Sequence, residues 1–141
     1  MKTFKKKFIY LTQMEKEVYF LDRLSGYKQF PKIINIDKEG KELEMSFCGE
    51  VLQETSKPKL WKTQIEEIIK ILEKENIYHN DMHQKNFVCL NDEVFLIDFG
   101  YASEDKEEFP YLNVSSCLVS GCDSFLYFLI KGEQNYRRRY Q

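Results

Sequence analysis

His79-Asn80-Asp81-Met82-His83-Gln84-Lys85-Asn86, then Phe87-Val88-Cys89-Leu90, the pair Asn91-Asp92, Val94-Phe95-Leu96-Ile97 and finally Asp98-Phe99-Gly100, is the stretch that decides this chain's fold. Two short apolar runs around an Asn-Asp pair are the pattern of a tight β-hairpin. A hairpin turns the chain back on itself, so Asn86 before it and Asp98 after it come to lie side by side. A carboxylate and an amide oxygen are donors that a hard cation such as Mg²⁺ takes. A lone Asp-Phe-Gly arises by chance, and polar loop residues more often cap turns. An Asp and an Asn five apart, the preceding His79, a hairpin of this length and Ile97-Asp98-Phe99-Gly100, all in order, make ancestry the stronger explanation.

In that order the residues resemble the protein-kinase-like superfamily. Its catalytic loop pairs a base Asp with a metal-binding Asn and is followed by Asp-Phe-Gly, whose Asp is a second metal ligand. The resemblance implies Asp81, Asn86 and Asp98 as the catalytic residues, with Asn86 and Asp98 as the metal ligands, and ATP and Mg²⁺ as cofactors. It implies an α+β, protein-kinase-like fold. Residues 1–49 would form a reduced small lobe, a short antiparallel sheet plus one helix, and residues 50–141 a truncated, mainly helical large lobe of the same single domain. The activity implied is transfer of a γ-phosphoryl group to a hydroxyl of a protein or a small molecule.

The composition is compatible with that class. At 141 residues the chain is long enough for one core, hiding roughly two-thirds of the surface of the unfolded chain. With 43% hydrophobic and 31% charged residues, it reads as globular rather than disordered. The net charge of −2 gives no overall basic field of the kind that drives nucleic-acid binding. Lys2, Lys5, Lys6 and Lys7 at one end and Arg137, Arg138 and Arg139 at the other read as solvated ends, or as docking points for an acidic partner or a phosphate. The four cysteines show no C-x-x-C spacing, which fits free thiols in a reduced, cytoplasmic setting. No apolar run suggests a signal peptide or a membrane span.

Along the chain, residues 4–11 read as a strand, and Thr12 with Glu15 as a capping box for a helix to about Leu24. Met14, Glu17, Leu21 and Leu24 share one face of it, which sets a carboxylate in an apolar stripe. The resemblance makes Glu17 the partner of a strand lysine that holds nucleotide phosphates. Strand alternation sends Lys6 opposite to Lys5 and Lys7; Phe4-Lys5 most resembles the family's ending, so Lys5 is the expected lysine. Residues 32–37 and 42–47 read as two strands leading to Cys48-Gly49-Glu50, which the resemblance sets beside the adenine through backbone hydrogen bonds. Trp61, Ile65, Ile68, Ile69 and Leu72 have helical spacing, with Glu66, Glu67, Lys70 and Glu73 opposite. A last apolar run, Phe125 to Ile130, resembles the central helix of a kinase large lobe, with Asp123 either bracing the catalytic loop or favouring the helix dipole.

Departures from the family are equally legible. None of the six glycines forms G-x-G-x-x-G, so the glycine-rich phosphate cover is missing. Asn80 stands where regulated protein kinases usually carry Arg, which speaks against control by activation-loop phosphorylation. His-x-Asp-x-His-x-x-Asn resembles aminoglycoside and other small-molecule kinases. His83 and Lys85 are candidate nucleotide-binding residues within that loop, and His83 otherwise caps the turn. His79 and His83, four apart, lack a third ligand for zinc at sensible spacing. A rival reading is therefore a pseudokinase-like binding module without turnover, and uncovered apolar surface on a truncated lobe suggests a homodimer.

Overall fold

The computed structural model describes residues 2–53, 55–82 and 84–104. The expected helix over 125–130 and Asp123 lie outside the described residues, as does His83. The elements run β1 (Thr3–Lys7), α1 (Leu11–Arg23), β2 (Ile33–Asp37), β3 (Glu42–Ser46), β4 (Glu50–Val51), α2 (Trp61–Glu75), β5 (Phe87–Leu90) and β6 (Glu93–Leu96), with a 3₁₀ turn at Gln84–Asn86. They form two three-stranded antiparallel sheets, ordered β1-β3-β2 and β4-β5-β6, and two helices. This is the α+β arrangement of a reduced kinase-like small lobe followed by the β5–β6 hairpin.

Alternation along β3 sets the inner face of the first sheet. Leu43 and Met45 are buried, and register places Lys6 opposite Leu43 and Phe4 opposite Met45. The same register puts Lys5 opposite Glu44 and Lys7 opposite Glu42, on the outer face, where opposite charges across a strand pair are favourable.

α1 buries Met14, Glu17, Phe20 and Leu21, the stripe expected from the spacing of three and four. Its start differs from the capping-box expectation. Tyr10 is the N-cap, with extended backbone, and no side chain caps the helix. Thr12 therefore lies inside the first turn, where its hydroxyl is not set to receive the N-terminal amides.

α2 packs on the second sheet through Trp61, Ile65, Ile68 and Leu72 and ends at Asn76, a left-handed C-cap at φ 58° of the kind that closes helices. From its outer side Gln64 clamps the hairpin: Nε2 donates to the Asp92 carbonyl (2.9 Å) and Oε1 accepts from the Val94 amide (2.7 Å). Asn91 and Asp92 both have positive φ, 51° and 63°, as a two-residue type I′ turn requires.

One core joins the parts. Phe30, Phe87 and Phe99 are among the largest fully buried side chains, each contributing about 1.5–3 kcal/mol by removal from water. Phe99 stacks edge-on against Phe30 (5.8 Å) and His79 (4.7 Å). The phenylalanine of Asp98-Phe99-Gly100 thus anchors that motif in the core. Among the described residues no helix is long and apolar enough to cross a membrane.

Candidate active site

The hairpin register, Phe87 opposite Leu96, extends one step outward, where the Ile97 amide donates to the Asn86 carbonyl (2.9 Å). This closes the base of the hairpin and brings the segments bearing Asn86 and Asp98 together. Asp98 sits at φ 66°, a left-handed conformation uncommon for a residue with a side chain and worth noting at a functional site.

The loop that carries Asp81 is held from both sides. His79, buried at 1% exposure, faces the Ile97 carbonyl with Nε2 (2.9 Å) and accepts the Asp81 amide at Nδ1 (3.2 Å). With Nδ1 accepting, Nε2 carries the proton and donates to Ile97. Both ring nitrogens are thereby used, and His79 is a structural brace rather than half of a zinc pair. Asn80 Nδ2 donates to the Tyr101 carbonyl (3.1 Å) and Ser103 Oγ (3.0 Å), while Tyr78 and Ser103 form a β-bridge. The loop before Asp81 is fastened in this way to the segment after Gly100.

Asn86 is buried and orients toward Asp81. Its Nδ2 donates to the Asp81 carbonyl (2.8 Å) and to Asp81 Oδ2 (3.1 Å). Its Oδ1 accepts no hydrogen bond among the described residues. A buried amide oxygen left in this way is unusual and is a donor for a cation.

A cavity of about 400 Å³ runs between the sheets. Its walls are largely apolar, including Phe4, Met45, Phe47, Val88 and Ile97, and its polar end is formed by Lys6, Glu17 and Asp98. Such a lining suits a flat apolar ring with charged groups at one end. The opposite rim carries Cys48, Gly49 and Glu50. Gly49 has φ 112°, and a Cβ there would lie 1.9 Å from the Cys89 carbonyl oxygen, so only glycine lets the rim approach the hairpin this closely. Burial pushes the Cys48 thiol pKa above its ordinary value.

Lys6 is the lysine at the polar end. Its Nζ donates to Glu17 Oε1 (2.8 Å) and Asp98 Oδ1 (3.1 Å). Glu17, 1% exposed, uses its other oxygen to accept the Phe99 amide (3.2 Å). The expectation that Lys5 makes this pairing is corrected. Lys5 lies on the outer face, while Lys6 shares the parity of the apolar Phe4 and Phe8, the inward signal that an unbroken lysine run disguises. Burial alone would lower the Lys6 pKa, but the charges and hydrogen bonds of Glu17 and Asp98 outweigh it and raise it. Burial likewise opposes ionisation of Asp98, yet the Lys6 charge and hydrogen bond, with the Gly100 amide, hold its carboxyl below the usual range. Asp98 is ionised at neutral pH.

Asp81 is partly buried beside Asn86, and Lys85 projects from the 3₁₀ turn into solvent. Asp81, Asn86 and Lys85 are not among the lining residues of the cavity; Asp98 is the group that belongs to both the cavity and the loop's neighbourhood. Among the described residues no group of three or more His, Cys, Asp or Glu is arranged to hold a metal ion. Asn86 Oδ1 and the carboxylate of Asp98 are oxygen donors of the kind that suits Mg²⁺, an ion commonly held by one or two protein ligands together with water and phosphates.

Residues 1–112, spanning both sheets, both helices and the Asp98-Phe99-Gly100 segment, match the RIO domain. The chain belongs to the RIO domain family. RIO kinases are members of the protein-kinase-like superfamily of ATP-binding phosphotransferases, which generally use ATP and Mg²⁺. No curated protein matches the chain.

Proposed function

We propose that this RIO domain protein is an ATP-dependent phosphotransferase acting on a hydroxyl of a protein or small molecule. The observation that carries the reading is the Lys6 ammonium lying between Glu17 and Asp98 at the polar end of an otherwise apolar cavity. The adenine would occupy the apolar part, against the backbone of Cys48, Gly49 and Glu50. Lys6, oriented by Glu17, would meet the phosphates, with Lys85 and His83 as further phosphate contacts from the loop. Asn86 and Asp98 would hold Mg²⁺, which when bound neutralises charge on the phosphates.

Phosphoryl transfer needs positioning and charge compensation more than covalent help. Asp81 would accept or orient the acceptor's proton. Its position is set by the Asn86 amide on its carboxylate and by His79 on its backbone. Asn80, already engaged with Tyr101 and Ser103, has a positioning role in place of the phosphate-receiving Arg of regulated kinases.

Incubation with γ-³²P-labelled ATP and Mg²⁺, against protein and metabolite pools, tests this. Label transfer by the wild type and its loss in Asp81→Ala are expected. Transfer that survives Asp81→Ala unchanged would remove Asp81 from the chemistry.

A second reading, a nucleotide-binding module without turnover, is favoured by one contact: the Lys6 ammonium pairs directly with the Asp98 carboxylate (3.1 Å). It predicts ADP binding that is indifferent to Mg²⁺ and no label transfer.

A further inference from the structure

Glu17 joins α1 to the Asp98-Phe99-Gly100 segment at the cavity. A second joint between the same two segments lies outside it. Arg23, six residues further along α1 and about 9 Å along the axis at 1.5 Å per residue, forms an ion pair through Nη1 with Glu104 Oε2. The same Glu104 oxygen accepts the Tyr19 hydroxyl (3.0 Å). Through Nη2, Arg23 also donates to the Glu75 carbonyl at the end of α2, and the Glu75 carboxylate accepts the Tyr27 hydroxyl (2.6 Å). None of these residues lines the nucleotide cavity.

We infer that Arg23 and Glu104 form a clasp that sets the position of α1 against the segment following Asp98, and through it the Glu17–Lys6–Asp98 arrangement. The inference deepens the nucleotide-site reading and rests on it for its effect on ligand binding. Two joints about two turns apart resist rotation of α1 in a way that one does not. With the Arg23–Glu104 pair broken, α1 keeps the Tyr19 hydroxyl on Glu104 and Glu17 on the Phe99 amide, but loses, among the described residues, the one charged tie at its C-terminal end that also reaches α2 through the Glu75 carbonyl. The guanidinium is suited to the task because its planar fork reaches two elements at once. Arg23 is a positioning residue, since it touches neither Lys6 nor Asp98 in the hydrogen bonds and ion pairs it makes.

The test compares wild-type full-length protein with Arg23→Ala, Glu104→Ala, the conservative Arg23→Lys and the exchanged pair Arg23→Glu with Glu104→Arg. Two readouts are needed: amide hydrogen exchange of the peptide containing Phe99, without ligand, and ADP affinity with and without Mg²⁺. The alanine variants should exchange about two- to fivefold faster at that peptide, the range expected for loss of a partly exposed ion pair. They should lose a similar factor of the Mg²⁺-dependent gain in ADP affinity while metal-free affinity holds. Arg23→Lys and the exchanged pair should recover part of both. Unchanged exchange at Phe99 in both alanine variants overturns the clasp. So does an equal loss of affinity with and without metal. If wild type shows no Mg²⁺-dependent gain, the nucleotide reading fails and the clasp stands or falls on the exchange data alone.

Discussion

Replacing Glu17 with alanine removes the group on which the polar end of the cavity converges. The Phe99 amide loses its acceptor in a buried setting, which costs about 1–3 kcal/mol. Lys6 loses its shorter ion pair, but its side chain is 27% exposed and retains Asp98, so water and Asp98 limit that loss to about 0.5–1 kcal/mol. Relief of the carboxylate's own desolvation, at 1% exposure, offsets part of this. The net expectation is about 2–3 kcal/mol of destabilisation. Urea unfolding at pH 7, followed by the fluorescence of Trp61, the single tryptophan, measures it. Lys5→Ala, on the outer face, should stay within about 0.5 kcal/mol of wild type. A Glu17→Ala cost below that figure, or a Lys5→Ala cost matching Lys6→Ala, would refute the inward placement of Lys6 and Glu17.

Three further outcomes follow from the same geometry. Asp98 is held below its ordinary pKa of 3.8 and Lys6 above its ordinary 10.5. Stability from Asp98 is therefore present above pH 3.8 and lost as pH falls through the lower folded value, while that from Lys6 is present below pH 10.5 and lost as pH rises through the higher one. A double-mutant cycle of Lys6→Met and Asp98→Asn should show constant coupling from about pH 5 to 9 that shrinks below pH 4; coupling that grows in acid contradicts the ion pair. Gly49→Ala, with its Cβ driven onto the Cys89 carbonyl at φ 112°, should cost at least about 2 kcal/mol in thermal or urea unfolding. Gln64→Ala should cost about 1–2 kcal/mol by freeing the Val94 amide and the Asp92 carbonyl, with faster hydrogen exchange in the β5–β6 hairpin as its signature.

The hairpin and the two helices were legible from their period and turn residues, and the strands of the first sheet as mixed apolar segments, the first of which ends at Lys7 rather than running on to Leu11. The Asn91-Asp92 turn announced itself by residue type, and Glu17 by interrupting an apolar stripe. The lysine partner was not legible in the same way. Three consecutive lysines carry no contrast, and the decision lies in β3, where Leu43 and Met45 define the inner face that Lys6 shares. The Thr12–Glu15 signal failed because α1 begins two residues earlier than that cap implies, at Leu11 after Tyr10, which takes the threonine out of the capping position. Arg23 and Glu104 are 81 residues apart in sequence, and nothing in the residue pattern links them; only the packing of α1 beside the segment after Gly100 does. His79 stands out in the sequence only as the residue that opens the loop, and its bond to the Ile97 carbonyl follows from the close approach of the loop to the end of the hairpin.

The central claim is a metal-dependent nucleotide site formed around Asp98 and Asn86. Isothermal titration of ATP into wild type and Asp98→Asn, each with Mg²⁺ and with chelator, tests it most directly. The account predicts that Mg²⁺ tightens binding to wild type at least about tenfold, a difference of 1.4 kcal/mol, and that Asp98→Asn abolishes this gain while metal-free binding persists. Equal affinity with and without Mg²⁺ in wild type, or a gain that survives in Asp98→Asn, would contradict it.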